Sequence, residues 1–300
     1  MLRSPDQLNA DCTCVTLDSA ALCRALEAEL GDPEFCRQLI TSHSTLISRL
    51  PVFLRGEHVT RMAAIIQAIE AVAKLGEYQT AALQGAPSSS HFLPGAIGVF
   101  MGYDFHLGPE GPKLIEINTN AGGALVNAFV ARAQKACCVP VEATLSAPNG
   151  RQDFEASFLR SFLSEWRRQR GEKKLKSIAI VDDVPDRQYL YPEFVLFQRM
   201  FERHGLEAVI APPQKLTHRG GRLMYGDLTI DLVYNRLTDF SLEAPDHEVV
   251  LSAYLSGDAV VTPNPRAHAM FADKGNLVRL SSAETLGNWG VPEETIRLLT

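Results

Sequence analysis

Through the first half of the chain apolar positions recur every three or four residues. In the second half short continuous apolar blocks alternate with helical stretches, and that change of period predicts two kinds of architecture. Asp18 or Ser19 caps a helix with Leu22, Leu26 and Leu30 on one face and Gly31 at its end, and a shorter helix follows over 33–41. Over 57–75 the spacing of Val59, Met62, Ala63, Ile66, Ile69 and Val72 is helical, with Gly76 as a left-handed cap. The run 97–101 begins a strand. The stretch 124–138 is helical again through Leu125, Ala128, Phe129 and Ala133. Ala147-Pro148-Asn149-Gly150 breaks the pattern and marks a boundary. Asp153 then caps an amphipathic helix reaching Arg170, its stripe formed by Phe154, Phe158, Leu159, Phe162, Leu163 and Trp166, a packing surface.

Beyond Lys176 the order is strand 177–181, helix 191–204, strand 206–210, short strands 223–225 and 228–234 about Gly226-Asp227, helix 247–255 and strand 259–262. Alternating strands and helices predict a doubly wound α/β sheet. Ligands of such sheets bind beyond the carboxyl ends of the strands, where Asp182-Asp183, Asn235-Arg236 and Asn264 fall. No G-x-G-x-x-G follows the first strand, so a dinucleotide fingerprint is absent.

The chemistry concentrates between Gly102 and Gly123, GYDFHLGPEGPKLIEINTNAGG. Two apolar runs flank Gly108-Pro109-Glu110-Gly111-Pro112, which predicts a hairpin. With 108–112 as the loop, Leu107 faces Lys113 and Asp104 stands opposite Glu116. Alternation then puts Glu116 and Asn118 on the face of Asp104 and turns Ile115 and Ile117 into a core. Opposed like charges destabilise a ladder, and a hard cation such as Mg²⁺, which takes oxygen ligands, gives the pair a reason to exist. The Gly122-Gly123 loop opens a helix whose free N–H groups are placed to face an anion.

This segment resembles the metal-binding hairpin of the ATP-grasp ligases, in which an Asp-bearing strand is followed by an apolar strand reading E-x-N and a glycine loop. The resemblance implies Asp104, Glu116 and Asn118 as Mg²⁺ ligands and places Thr119, Asn120, Gly122 and Gly123 beside the phosphates of ATP. Where the family often has Pro-Gly after the Asn, Ala121-Gly122-Gly123 stands here. IDLVYNRLTDF and VVTPNPRAHAMFADKGNL resemble the substrate-side domain that precedes the nucleotide-binding part in that family, the second reaching the handover at Asp273-Lys274. The hairpin precedes this domain, as in circularly permuted members such as relatives of glutathionylspermidine synthetase. The implied fold is α/β (α+β), an ATP-grasp-type hairpin sheet with helices over 1–150, a connecting helix over 151–175 and a doubly wound domain over 176–280. Residues 281–300 begin a nucleotide-binding segment that is otherwise missing, which implies weak ATP binding and an uncovered apolar patch beside the hairpin. The implied activity is ATP- and Mg²⁺-dependent joining of a small-molecule carboxylate to an amine through an acylphosphate. Arg236 is then the first candidate for a catalytic and substrate contact, Asn235, Asn264 and Arg266 further substrate contacts, and Lys274 a nucleotide contact. His268 is a weaker candidate for a substrate contact.

Composition narrows the partners. The 300 residues are 46% hydrophobic and 21% charged, with 29 basic against 35 acidic side chains and a net charge of −6, which offers no basic stripe for nucleic acid. No segment reads as a membrane span or signal peptide, and the expected location is cytoplasmic. Six cysteines, including the adjacent Cys137 and Cys138, show no C-x-x-C or zinc spacing and read as reduced structural thiols. His43, His58 and His91 lack a second ligand at metal spacing and read as structural. Two rivals stand beside the ligase, a non-catalytic binding or scaffold module of the same fold and a metal-dependent hydrolase working without ATP.

Overall fold

The computed structural model describes residues 4–11, 15–42, 46–48, 52–136 and 154–300. The readings at Cys12, Cys14, His43, Cys137, Cys138, the 147–150 boundary and Asp153 lie outside these residues. The described chain is mixed α and β. It begins with α1 (Pro5–Asp11), β1 (Val15–Leu17), α2 (Ser19–Leu30), α3 (Pro33–Ser42), α4 (Gly56–Val72) and α5 (Gly76–Leu83). The hairpin strands β2 (Gly102–Gly108) and β3 (Gly111–Asn118) follow, then α6 (Ala124–Ala133), β4 (Gln134–Ala136) and α7 (Phe154–Arg170). The later part holds β5 (Ser177–Val181), α8 (Tyr191–Arg203), β6 (Glu207–Ala211), β7 (Leu216–Arg219), β8 (Arg222–Tyr225), β9 (Leu228–Ile230) and β10 (Leu232–Asn235). It closes with α9 (Glu248–Leu255), β11 (Val260–Thr262), α10 (Pro265–Phe271), α11 (Lys274–Leu280), α12 (Ala283–Asn288) and α13 (Glu293–Leu299).

Four parallel strands form one sheet in the order β11-β10-β5-β6. Both of its faces are buried, which is why the strands read as continuous apolar runs. Ile178, Ile180, Leu232, Tyr234 and Val260 face the core shared with α7 and α8, whereas Ala179, Val181, Val233 and Val261 face the opposite core. That second face is covered by α9 together with a three-stranded antiparallel sheet, β7-β8-β9, instead of by helices alone. The single strand expected over 228–234 is therefore two strands in two sheets. The chain passes between them at Asp231, whose N–H donates to Ser177 Oγ (2.9 Å) and whose carboxylate accepts from Lys176 N (2.8 Å).

In the first half, Asp18 caps α2 by accepting from Ala21 N (2.9 Å), and Gly31 ends it at φ 66° with its N–H on Glu27 O. The turn folds α3 back on α2 and joins Cys23 to Cys36 as a disulfide with Cα atoms 5.2 Å apart, so these two are not the reduced thiols expected from spacing alone. The buried stripe of α4 is Ile65, Ala68, Ile69 and Val72, while Val59 is exposed. Gly76 is not a left-handed cap; α4 stops at Ala73 and Gly76 starts α5. Residues 97–101 are irregular, and the strand begins at Gly102. A third core gathers α4, α5, the inner hairpin face and α10 to α13, with Tyr78 at its centre donating to Met270 O (2.6 Å). No residue of α13 is fully buried, yet Ile296, Leu298 and Leu299 pack onto this core.

Phe100, at φ 53°, inserts its ring among Phe158, Phe162, Phe197 and Tyr234 with centroids 5.1–6.0 Å apart. Phe162 is fully buried in this group and meets Phe201 and Tyr234 edge-on at 5.0 Å. Phe162→Ala is expected to lower the unfolding free energy by about 3–5 kcal/mol, read from urea denaturation, because a cavity replaces these ring contacts.

Candidate functional site

The hairpin pairs Asp104 with Glu116, but by a different route from the one the sequence suggests. Its turn is only Pro109-Glu110, closed by Gly108 opposite Gly111 at φ 101°, so Leu107 faces Pro112 and not Lys113. Ile115 is then an unpaired bulge that shifts the register by one residue and restores Asp104 to Glu116. The bulge also breaks the alternation, leaving Ile115 56% exposed while Ile117 is buried at 2%. Leu107 is exposed as well.

Asp104 and Asn118 are exposed, and Glu116 is half-exposed. Asn118 stands two residues from Glu116 and therefore on its face. Its Oδ1 accepts from Asn120 N (2.9 Å) and so shapes the turn out of the strand. Lys274 Nζ lies 3.7 Å from Glu116 Oε2, a solvent-exposed pairing worth little in stability. Among the described residues no three His, Cys, Asp or Glu side chains converge on a metal position. The outward hairpin face carries two carboxylates and a side-chain amide, whose hard oxygens are of the kind Mg²⁺ takes.

The next five residues are held from three sides. Thr119 is buried, its Oγ1 3.2 Å from His268 Nδ1, and Asn120 Nδ2 donates to Arg236 O (3.2 Å) and Leu237 O (3.3 Å). Ala121 donates to Phe100 O and accepts from Arg236 Nη1 (2.9 Å). A Cβ on Gly122 would lie 2.3 Å from Leu190 Cδ1 and 2.8 Å from Arg236 Nη2, so a side chain there would displace the ends of both. The amides of Gly123 and Leu125, expected to face an external anion, donate to Glu193 Oε2 (2.7 Å) and Oε1 (2.9 Å). The chain supplies its own carboxylate to this helix terminus. Burial pushes the Glu193 carboxyl above its usual range, against the pull of the two amides and of the Arg236 charge.

Strand order reverses between β5 and β10, and this loop fills the crevice at their carboxyl ends. Arg236 is 5% exposed, bonded to Ala121 O and Tyr234 Oη (3.3 Å) and laid against the rings of Phe194 and Tyr234. Asn235 donates to Pro263 O and accepts from Leu237 N. Asn264 caps α10 by accepting from Ala267 N and donates to Ala96 O. Asn235, Arg236, Asn264, Thr119 and Asn120 thus converge, each engaged by the protein's own groups. Arg266 lies apart, bonded to Gln79 Oε1 and Ser90 O. Lys274 stands by the hairpin acids and not by the crevice.

Sequence reasoning missed Glu193, His247 and Asp239 as parts of the site. His247, 4% exposed, bridges Asp239 Oδ2 at Nδ1 (2.8 Å) and Asp183 Oδ1 at Nε2 (3.1 Å). Burial opposes its charge, but the hydrogen bonds and charges of Asp239 and Asp183 outweigh burial and raise its pKa. Beside it, burial pushes Asp182 up to about 6, against the Asp183 amide and Arg236. No local spacing announces these residues: Glu193 reaches the loop amides across the fold, and His247 joins Asp239 to Asp183. A cleft of about 440 Å³ opens at Asp239, lined also by Phe240, Ser241, His268 and Asp273 among others, with His268 stacked on Phe240 at 4.0 Å. Burial lowers the His268 pKa.

Compared with known proteins, the chain matches no family model and no curated protein. Among the described residues no helix is long and apolar enough to cross a membrane.

The raised His247 pKa has a definite sign. The stability it contributes is fully present below its unfolded value of about 6.5 and is lost as pH rises through the higher folded value. His247→Gln is expected to cost about 1–3 kcal/mol near pH 6, from bonds to two carboxylates. The gap from the parent protein should narrow with rising pH in urea titrations; a pH-independent gap would show that His247 is not charged in the folded protein.

Proposed function

We propose that the chain is a Mg²⁺-dependent, ATP-consuming ligase of the carboxylate-amine type, built like the circularly permuted ATP-grasp proteins its hairpin resembles. The observation carrying this reading is the Asp104–Glu116 cross-strand pair, with Asn118 on the same outward face. Such a pair costs ladder stability when left bare, and bound Mg²⁺ would remove that cost while stabilising charge on phosphoryl oxygens. Asp104, Glu116 and Asn118 would hold the ion. Lys274 adds a positive charge beside Glu116. The Thr119–Gly123 loop, held by Arg236, Asn120 and Glu193, supplies a fixed wall between the hairpin and the crevice of the parallel sheet. At that crevice burial raises the Asp182 pKa to about 6, which suits a group that takes a proton from an incoming ammonium. The carboxylate and amine are small molecules in this reading.

A binding or scaffold module without turnover is the second reading. It is favoured by the way Arg236, Asn235 and Asn264 are spent on the protein's own backbone and Glu193 occupies the helix amides.

Calorimetry with Mg²⁺, with and without ATP, tests the metal site. Asp104→Asn and Glu116→Gln are each expected to weaken Mg²⁺ binding at least about tenfold without lowering the melting temperature, since both side chains are on a polar face. Mg²⁺ binding unchanged in both variants would remove the hairpin from the mechanism. Phosphate release from ATP with a panel of acids and amines separates the ligase from the scaffold.

A further inference from the structure

Away from the hairpin and the crevice, β7 and α9 bring a serine, a histidine and an aspartate into one hydrogen-bonded line. Ser252 Oγ lies 2.9 Å from His218 Nδ1, and His218 Nε2 lies 2.7 Å from Asp258 Oδ2. Ser252 is exposed on α9, His218 projects from β7, and Asp258 follows the helix end at Gly257. The partners fix the tautomer. An ionised carboxylate only accepts, so Nε2 carries the proton toward Asp258, and Nδ1 is left as the acceptor for the Ser252 hydroxyl. Burial alone does not explain the line, because the His218 and Asp258 side chains are 17% and 25% exposed. Asp258 is further held by Ser256 Oγ (2.7 Å), and hydrogen bonds from Ser256 and His218 keep its carboxyl below the usual range.

We propose that Ser252 is an activated surface nucleophile, with His218 as its general base and Asp258 orienting the imidazole. Such a line is recognised by geometry and roles, independent of fold or order along the chain. Its electrophiles are small activated acyl donors. Ser252 is out on a helix surface, so reagent size and selectivity are not imposed by an enclosing pocket, and the oxyanion is met by solvent. The step is a simple transfer. Ser252 Oγ forms a bond to the acyl carbon as its proton moves to His218 Nδ1. The bond from that carbon to the leaving oxygen breaks, and the leaving group takes the proton from His218 or departs as an anion with the proton released to water. Water then attacks the acyl-serine as His218 Nδ1 takes its proton; the bond from the acyl carbon to Ser252 Oγ breaks, Oγ recovers the proton from His218, and the acid is released. This site lies outside the Mg²⁺ reading, and neither depends on the other.

The experiment is incubation of the full chain with p-nitrophenyl acetate, followed by peptide mass mapping of acetylated positions. Ser252 is expected to be acetylated faster than any other serine, and His218→Gln to slow that site about a hundredfold, the usual reach of a general base. Asp258→Asn should slow it at least about tenfold by releasing the tautomer. Acetylation of surface lysines in the same samples should not change, and thermal melting should confirm that the variants fold. Ser252 acetylated no faster than other exposed serines, or equally fast in folded His218→Gln, overturns the proposal.

Discussion

A buried carboxylate and a buried guanidinium hold the two halves of the described chain together. Glu193 and Arg236 are 1% and 5% exposed, and removing such charges from water costs several kcal/mol each unless hydrogen bonds and opposite charge compensate. Here the compensation comes from the loop after the hairpin. Two amides at the start of α6 bind Glu193, and the Ala121 carbonyl binds Arg236. The loop has little freedom left, and a side chain at Gly122 would displace the ends of Leu190 and Arg236. Among the described residues Arg236 Nε, like Asn120 Oδ1, is buried without a hydrogen-bond partner, a cost the aromatic faces of Phe194 and Tyr234 partly offset for the guanidinium.

From this junction the geometry of the candidate site follows. The hairpin is only two strands, a size that does not hold itself in water, and it is stabilised by laying Tyr103, Phe105, Leu114 and Ile117 on the third core. Its outward face is free to carry like charges because the inward face supplies the stability. The bulge at Ile115 aligns the two acids at the expense of one exposed apolar side chain. The parallel sheet contributes its reversal point, where Asp182, Asp183 and Arg236 emerge side by side, and His247 ties the loops after β5 and β10 into one charged unit. The Ser252–His218–Asp258 line stands at the far margin of this sheet, on the antiparallel layer, and shares none of these residues.

What the sequence by itself determined was the set of elements whose signal is local. The runs at 177–181 and 154–170 read directly from their periods, the parallel sheet from alternation of blocks, and Asp104 opposite Glu116 from the two strands and the glycine-rich turn between them. Only the tertiary structure decided the rest. A two-residue turn compensated by a bulge cannot be told from a five-residue loop, since both leave Asp104 opposite Glu116. The break at Asp231 depends on Ser177 and Lys176, over fifty positions away. Cys23 and Cys36 pair because Gly31 turns one helix onto the other. The helix terminus that looked open to an anion is filled by Glu193, 68 and 70 residues from the amides it binds, because charge and hydrogen bonding act through space and leave no periodic mark along the chain.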